Sequence, residues 1–410
     1  MQWPKSSTGG GIFLFAMQAK SNDNAGQAGS FAEQGQSVYA KKKVKVIISG
    51  GGTGGHIFPA ISIANALKAK VDGIEILFVG ANGRMEMEKV PAAGYKIVGL
   101  NISGIQRRIT TANLSLPFKL IGSVRQSSKI IKEFNPDVVV GVGGYASGPL
   151  LLAATLKKLP VLIQEQNSYA GVTNKFLSKW ADKICVAYPN MERFFPKEKI
   201  ILTGNPVRQD INNLEGKRQR GIELFGLDPN KKTILIIGGS LGARTINQAI
   251  ENTLSKFARN NIQIVWQTGK TYFEKAKLAV KPYEGQGIRA LDFIQKMDYA
   301  YSVADMVISR AGASSVSELC IVHKPCILVP SPNVAEDHQT QNAMALVNHN
   351  AAVLVKDTEA IQKLGDIAIE LLNNEKKLLD LERNIAHLAM HNSAEIIANE
   401  VLNLVKSDRV

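Results

Sequence analysis

A histidine closes the glycine-rich run Gly50-Gly51-Gly52-Thr53-Gly54-Gly55-His56, and that run follows the apolar stretch Val44-Lys45-Val46-Ile47-Ile48. Such a stretch breaking into glycines reads as a buried parallel strand whose end lets backbone approach a ligand. The helix that follows aims free N–H groups and its positive dipole end at an anion. At that helix entrance the imidazolium form of His56 is disfavoured, which leaves a neutral ring able to take a proton near pH 7; a histidine that merely caps or fills the loop is the alternative. A second run of the same kind, Gly238-Gly239-Ser240-Leu241-Gly242-Ala243-Arg244, follows Thr233-Ile234-Leu235-Ile236-Ile237. Two such loops, one in each half, point to one ligand gripped between two halves.

A third loop, Gly141-Val142-Gly143-Gly144-Tyr145, also follows an apolar strand, so the first half presents two permissive turns on one sheet edge, enough to cradle an extended polar ligand. In the second half, Ser309-Arg310-Ala311-Gly312-Ala313-Ser314-Ser315-Val316-Ser317-Glu318 follows a strand, and its small residues open a helix with Glu318 about one turn inside. A carboxylate there accepts both hydroxyls of a ribose, or else caps the helix. Nicotinamide cofactors do not fit. Gly50, Gly52 and Gly55 keep the Gly-x-Gly-x-x-Gly spacing, but the second loop does not, and the second strand of each half ends without the ribose-binding acid, at Gly80-Ala81-Asn82 and Gln267-Thr268-Gly269. No phosphate-binding Gly-x-x-x-x-Gly-Lys-Ser/Thr motif is present either.

These loops need parallel sheets to hold them, and the chain supplies the cadence for two. Strands are expected at Gly73 to Gly80, Asp137 to Val142, Pro160 to Gln164, Lys183 to Ala187 and Ile200 to Thr203 in the first half. In the second they are expected at Thr233 to Ile237, Ile262 to Gln267, Gly287 to Leu291, Met306 to Ser309 and Pro325 to Val329. Pro59 to Lys70 carries helical spacing behind a proline suited to a first turn. The fold class is α/β: two Rossmann-like, doubly wound parallel-sheet domains facing a central cleft. A chain of 410 residues with 45% apolar content supports two cores. We expect a disordered extension or misplaced start over 1–43, a first domain over 44–208 completed by the C-terminal helix 393–410, and a second domain over 209–392.

Lys plus Arg outnumber Asp plus Glu by 49 to 35, so the net charge of +14 favours anionic partners. Charge alone does not make a nucleic-acid binder: no recognition motif or aromatic-interleaved basic stretch appears, and nucleic acid is not an expected partner. Cys185, Cys320 and Cys326 lack Cys-x-x-Cys spacing, which suggests neither a disulfide framework nor a zinc site and fits a reducing cytoplasm. No apolar run is long enough to span a bilayer.

Taken together, Gly51-Gly52-Thr53-Gly54-Gly55-His56, Gly143-Gly144-Tyr145, Glu165-Gln166-Asn167, Gly204-Asn205-Pro206-Val207-Arg208, Gly239-Ser240-Leu241-Gly242-Ala243-Arg244 and Ser317-Glu318 resemble the MurG family of GT-B glycosyltransferases. The resemblance spans roughly Val44 to the C-terminus. It implies inverting transfer of N-acetylglucosamine from UDP-N-acetylglucosamine to the C4 hydroxyl of the N-acetylmuramic acid of lipid I, an undecaprenyl-diphosphate-linked acceptor, giving lipid II and UDP for peptidoglycan synthesis. It also implies a peripheral place on the cytoplasmic face of the inner membrane. Thr53, Gly54, Gly55, Asn167, Arg208, Ser240, Ile294 and Gln339 match donor-binding positions, as do Ala313, Ser314, Ser315, Val316, Ser317 and Glu318; Tyr145 matches a substrate-binding one. Arg208 and Ser240 suit the diphosphate, the Ile294 backbone the uracil, Glu318 the ribose, and Asn167 and Gln339 the sugar, with Gln341 competing for the place of Gln339. Leu241 stands where many relatives carry Gln.

Inverting transfer needs a base, for which His56 is the candidate and Glu165 the reserve, and a charge sink for the departing diphosphate. No Asp-x-Asp occurs, so a helix dipole and Arg208 take that role and no metal or other cofactor is expected. The acceptor lies in a bilayer. Residues 102–134 mix Ile105, Ile109, Leu114, Leu116, Phe118, Leu120 and Ile121 with Arg107, Arg108, Lys119, Arg125, Lys129 and Lys132, a combination suited to an anionic membrane surface; a plain amphipathic helix packed on the sheet is the alternative. The competing functions are another GT-B enzyme acting on a lipid such as diacylglycerol, and a non-catalytic nucleotide-sugar-binding protein.

Overall fold

Continuous apolar runs make strands buried on both faces, and the two sheets of this chain are built from such runs. A computed structural model describes residues 43–102, 116–239, 241–334 and 337–407. Strands β1 (Lys45–Ser49), β2 (Glu75–Ala81), β3 (Lys96–Leu100), β4 (Val138–Gly141), β5 (Val161–Glu165), β6 (Lys183–Val186) and β7 (Ile200–Leu202) form a parallel sheet in the order β3-β2-β1-β4-β5-β6-β7. Strands β8 (Thr233–Ile237), β9 (Gln263–Gln267), β10 (Ile288–Leu291), β11 (Met306–Ser309), β12 (Cys326–Leu328) and β13 (Val353–Leu354) form a second, in the order β10-β9-β8-β11-β12-β13. Ile47, Ile48, Val139, Val140, Leu235 and Ile236 have no exposed surface. Each such side chain contributes about 1.5–3 kcal/mol of burial free energy.

The helices between the strands are α1 (Gly54–Lys70), α2 (Glu86–Ala92), α3 (Leu116–Phe134), α4 (Ser147–Leu156), α5 (Val172–Leu177) and α6 (Arg218–Phe225), followed by α7 (Arg244–Arg259), α8 (Lys270–Val280), α9 (Met297–Val303) and α10 (Ala313–Ile321). Four more, α11 (His338–Val347), α12 (Asp357–Asn373), α13 (Glu375–Ala386) and α14 (Ser393–Ser407), close the chain. The last of these packs against α1 of the first sheet, with Ile397, Ala398 and Val401 fully buried.

In both sheets the strand order reverses beside the first strand of the set: β1 lies between β2 and β4, and β8 between β9 and β11. Crevices outside the C-terminal ends of strands at such reversals are where open α/β sheets bind ligands. The register places Ser49 of β1 beside Gly141 of β4, and Ser309 of β11 beside Ile237 of β8. All four glycine-rich or small-residue loops therefore leave their sheets at these two reversals.

The expected doubly wound sheets are present, with three local differences. Lys96–Leu100 and Val353–Leu354 are strands that the sequence reading did not propose; both are half-buried edge strands with weak apolar signal. The first helix begins at Gly54, five residues before Pro59, so the proline sits inside it. Having no N–H, Pro59 leaves the Gly55 carbonyl without its intrahelical donor. The proposed extension over 1–43 falls almost wholly outside the described residues.

Candidate active site

Loop geometry around the first reversal is fixed by backbone contacts that only glycine permits. Gly52, Gly143 and Gly144 have φ of +85°, +98° and +83°. A Cβ on Gly144 would run into the Gly51 carbonyl, so the loops after β1 and β4 touch backbone to backbone, and the Tyr145 ring lies against Gly52. Glu86, fully buried, receives the N–H of Gly52 on Oε2 and that of Ala81 on Oε1, each at 3.0 Å. Arg84 sits over the Tyr145 ring, 5.9 Å from its centroid.

His56 is half-buried on the first turn of α1, and Nδ1 lies 3.1 Å from the Gly51 carbonyl and 3.3 Å from Thr53 Oγ1. Exposed Thr53 is the N-cap residue of that helix, and Gly54 and Gly55 are its first two residues. The far edge of the imidazole faces Gly143, where a Cβ would fall 3.0 Å from Nε2. Burial, the largest cause, holds the ring below its ordinary pKa, and neighbouring His338 adds to this; Glu165, the Gly51 carbonyl and Glu86 oppose it without reversing it. The neutral imidazole expected from a helix dipole is thus present mainly because of desolvation.

Glu165 is 2% exposed and accepts four hydrogen bonds: from Asn167 N at 3.1 Å, Asn167 Nδ2 at 3.2 Å, Gly171 N at 3.0 Å and Asn174 Nδ2 at 2.8 Å. With its lone pairs so occupied it anchors the loop that carries Asn167, an arrangement unlike that of a free proton acceptor. Asn167 in turn accepts from Asn342 Nδ2 at 3.2 Å, and Asn342 Oδ1 accepts from both the backbone and the hydroxyl of Ser168.

Around the second reversal, Gln267 at the end of β9 ties two loops together. Its Nε2 donates to the Gly239 carbonyl at 3.0 Å and its Oε1 accepts from Ile294 N at 2.9 Å. Ser240 lies outside the described residues. Gly312 is the N-cap of α10, and the first-turn amides of Ala313, Ser314 and Ser315 have no partner within the helix. The Ser314 hydroxyl oxygen is buried with no hydrogen-bond partner. Val316 packs in the core, while Ser317 Oγ accepts from Asn205 Nδ2 at 3.0 Å. Glu318, 8% exposed, accepts from Arg208 Nε at 2.9 Å and from the Tyr301 hydroxyl at 3.0 Å; both partners are side chains, so it is not acting as a helix cap. Gln339 is half-buried and accepts from Ser331 N at 2.8 Å, whereas Gln341 is exposed.

The two groups of loops meet, because Asn205–Ser317, Arg208–Glu318 and Asn167–Asn342 each join the first half to the second. Glu86, Tyr301 and Asn342 carry no assignment from the sequence, and Gln267 stands there only as the end of a strand that lacks an acid. Asn342 alone had a signal, as a neighbour in the polar run Gln339-Thr340-Gln341-Asn342. Of the proposed membrane segment, 103–115 lies outside the described residues. On α3, Ser123, Ser127, Ile130 and Ile131 are buried, while Leu120, Ile121, Arg125, Lys129 and Lys132 are exposed.

The glycosyltransferase family 28 N-terminal domain matches residues 46–186, and the family 28 C-terminal domain matches 233–399. A Parabacteroides distasonis protein named UDP-N-acetylglucosamine–N-acetylmuramyl-(pentapeptide) pyrophosphoryl-undecaprenol N-acetylglucosamine transferase is 56% identical over 89% of this chain and 99% of its own length. A Phocaeicola vulgatus protein of the same name is 57% identical over 90% of this chain and 98% of its own. The crystal structure of Acinetobacter baumannii MurG matches with a TM-score of 0.69 and 29% identity over 88% of this chain and 99% of that one. Two matched domains on two GT-B sheets, with relatives sharing more than half of their residues, show that the chain belongs to glycosyltransferase family 28, among the MurG-type N-acetylglucosamine transferases.

Proposed function

We propose that this chain moves N-acetylglucosamine from UDP-N-acetylglucosamine to the C4 hydroxyl of the N-acetylmuramic acid in lipid I, with inversion, giving lipid II and UDP for peptidoglycan synthesis. The observation that carries this reading is the sharing of 53–57% of residues, over most of the chain, with transferases that bear that name. The geometry is compatible at each step. Glu318 keeps lone pairs beyond those used by Arg208 and Tyr301, so it can still accept ribose hydroxyls. Since the Ile294 N–H is engaged by Gln267, its carbonyl is the group left for the uracil N3–H. The open amides of α10 and the terminal nitrogens of Arg208, which is held at Nε, face the role of diphosphate clamp. Asn167 and Gln339 contribute side-chain amides for the transferred sugar, and Ser240 belongs to the same donor set by its motif.

In the reaction, His56 Nε2 takes the proton of the acceptor hydroxyl as that oxygen bonds to the sugar C1 and the bond from C1 to UDP breaks. Charge passes to the diphosphate, where fixed dipoles and Arg208 stabilise it without reorganisation. Thr53, Gly54 and Gly55 belong to the donor set by their motif, while Tyr145 and the loop after β4 offer surface for the acceptor. Glu165 keeps Asn167 in place. The acceptor is membrane-bound, and exposed Leu120, Ile121, Val172, Phe176 and Trp180, with cations Arg125, Lys129 and Lys179 nearby in sequence, supply apolar and basic surface for peripheral contact with anionic lipid at the cytoplasmic face of the inner membrane. No helix among the described residues is long and apolar enough to cross a membrane.

The test is UDP release from UDP-N-acetylglucosamine with and without a soluble lipid I analogue, run beside UDP-galactose and a diacylglycerol acceptor. Release and coupled product with the first pair alone supports the proposal. Turnover on diacylglycerol would move the enzyme to a different lipid acceptor, and donor binding without turnover on either acceptor would reduce it to a binding protein.

A further inference from the structure

Glu86 is a completely buried carboxylate, and its two partners are not the amides of the helix it opens. Instead Oε1 takes the N–H of Ala81 at the end of β2, and Oε2 takes the N–H of Gly52 in the first glycine loop. The Gly52 N–H shares a peptide unit with the Gly51 carbonyl, and that carbonyl lies 3.1 Å from His56 Nδ1. In a trans peptide these two groups point in opposite directions, so one rigid plane carries a carboxylate on one edge and the imidazole on the other. A carbonyl oxygen only accepts, so the closer Gly51 contact calls for a proton on Nδ1, with the Thr53 hydroxyl at 3.3 Å as its second acceptor, and leaves Nε2 as the basic nitrogen, on the side facing Gly143.

We propose that Glu86 is a positioning residue for His56, acting through the Gly51–Gly52 peptide to fix the ring orientation and the tautomer in which Nε2 can accept the acceptor proton. The proposal rests on the reading of His56 as the base. Hydrogen bonding of the Gly52 N–H to a buried anion polarises the peptide and strengthens its carbonyl as an acceptor, and low local dielectric increases that effect. The result is a carboxylate–histidine pair with a peptide inserted between its members. Space reinforces the coupling: a Cβ at Gly51 or Gly80 would run into the Glu86 carboxyl or its methylene, so the carboxylate is packed as tightly as it is hydrogen-bonded.

The first test uses the full wild-type chain labelled with 15N-histidine, with the His56 signals identified by their loss in His56→Gln. A ring protonated at Nδ1 is expected; a proton on Nε2 overturns the proposal whether or not any variant folds. In Glu86→Gln the carboxamide can satisfy only one of the two facing N–H groups, so His56 should become a mixture of tautomers. The transfer rate kcat should fall about 10-fold or more, while the UDP dissociation constant stays within about 2-fold of wild type. Native tautomer and native kcat in that variant would sink the positioning role. Near-normal transfer by His56→Ala removes the base reading beneath it, a failure separable from the first because the wild-type tautomer is read without turnover.

Discussion

Arg208 Nε and Glu318 Oε1 lie 2.9 Å apart, joining the segment that follows β7 to the helix α10 of the second sheet. The two residues carry different assignments, diphosphate and ribose, yet they form one ion pair with Tyr301 closing the other side of the carboxylate. If the proposed assignments hold, contact of the donor with either residue acts on both, and donor recognition shares its hydrogen bonds with the joining of the two halves.

Replacing Glu318 by Gln tests this sharing. The carboxamide offers one acceptor oxygen to Arg208 and Tyr301, so either the half-exposed Arg208 or the fully buried Tyr301 hydroxyl loses its partner, an effect on the order of 1–3 kcal/mol where it falls on the buried tyrosine. UDP affinity should fall about 10-fold or more, and the preference for UDP over 2′-deoxy-UDP should shrink. Titration of both nucleotides against wild type and variant gives the answer, and an unchanged preference would rule out the ribose role.

The pH profile follows from His56. Its pKa is held below the ordinary 6.5, chiefly by burial, with His338 acting in the same direction and Glu165, Gly51 and Glu86 against it. A base must be neutral, so kcat/KM should be level above neutrality and fall only as pH drops through the depressed value. The sign for stability agrees: below 6.5 the unfolded chain binds the proton first, so stability declines from 6.5 down to the folded pKa and then stops changing on this account. His56→Ala should lose about 10²- to 10⁴-fold in rate while binding UDP normally. An acid limb centred above 6.5 would contradict the burial argument.

Both sheets and every loop at the strand reversals were legible because β-branched runs ending in glycine are local signals. Edge strands Lys96–Leu100 and Val353–Leu354 were not, since half-buried edges carry little apolar patterning. Chemical candidates such as His56, Arg208 and Glu318 stood out by motif. Their supports did not: Glu86 meets Gly52 across 34 residues, and Asn342 meets Ser168 across 174. Nothing in a linear spacing reports a hydrogen bond made by tertiary packing. For the same reason the four donors that occupy Glu165, the reserve candidate for the base, could not be seen in its spacing.

Asn342 is buried between the halves, donating to Asn167 Oδ1 at 3.2 Å and the Ala311 carbonyl at 3.3 Å while accepting from Ser168. Asn342→Asp keeps the shape but turns an oxygen toward two acceptors and buries a charge. Thermal unfolding should show Asn342→Asp less stable than Asn342→Ala, the aspartate losing about 3–5 kcal/mol against wild type. If the two variants unfold together, the amide is not bridging as described.

Gly55 separates folding from function in a single substitution. It is the second residue of α1, its φ lies outside the left-handed region, and the nearest atom to an added Cβ is Thr53 Oγ1 at 3.6 Å, an ordinary contact. Alanine there meets no steric penalty and gains helix propensity, so Gly55→Ala should leave the protein as stable or raise stability by about 0.4–1 kcal/mol. Yet the methyl projects where a ligand is proposed to approach the loop, and transfer should fall about 10-fold or more as KM for substrate rises. The neighbouring Gly144→Ala has the opposite character: its φ of +83° is strained for alanine and its Cβ would strike the Gly51 carbonyl, so stability and activity should fall together. Paired unfolding curves and kinetics of these two variants decide whether the glycines of the first loop serve the ligand or only the chain, because retention of full activity by Gly55→Ala would leave the loop without a close-approach role.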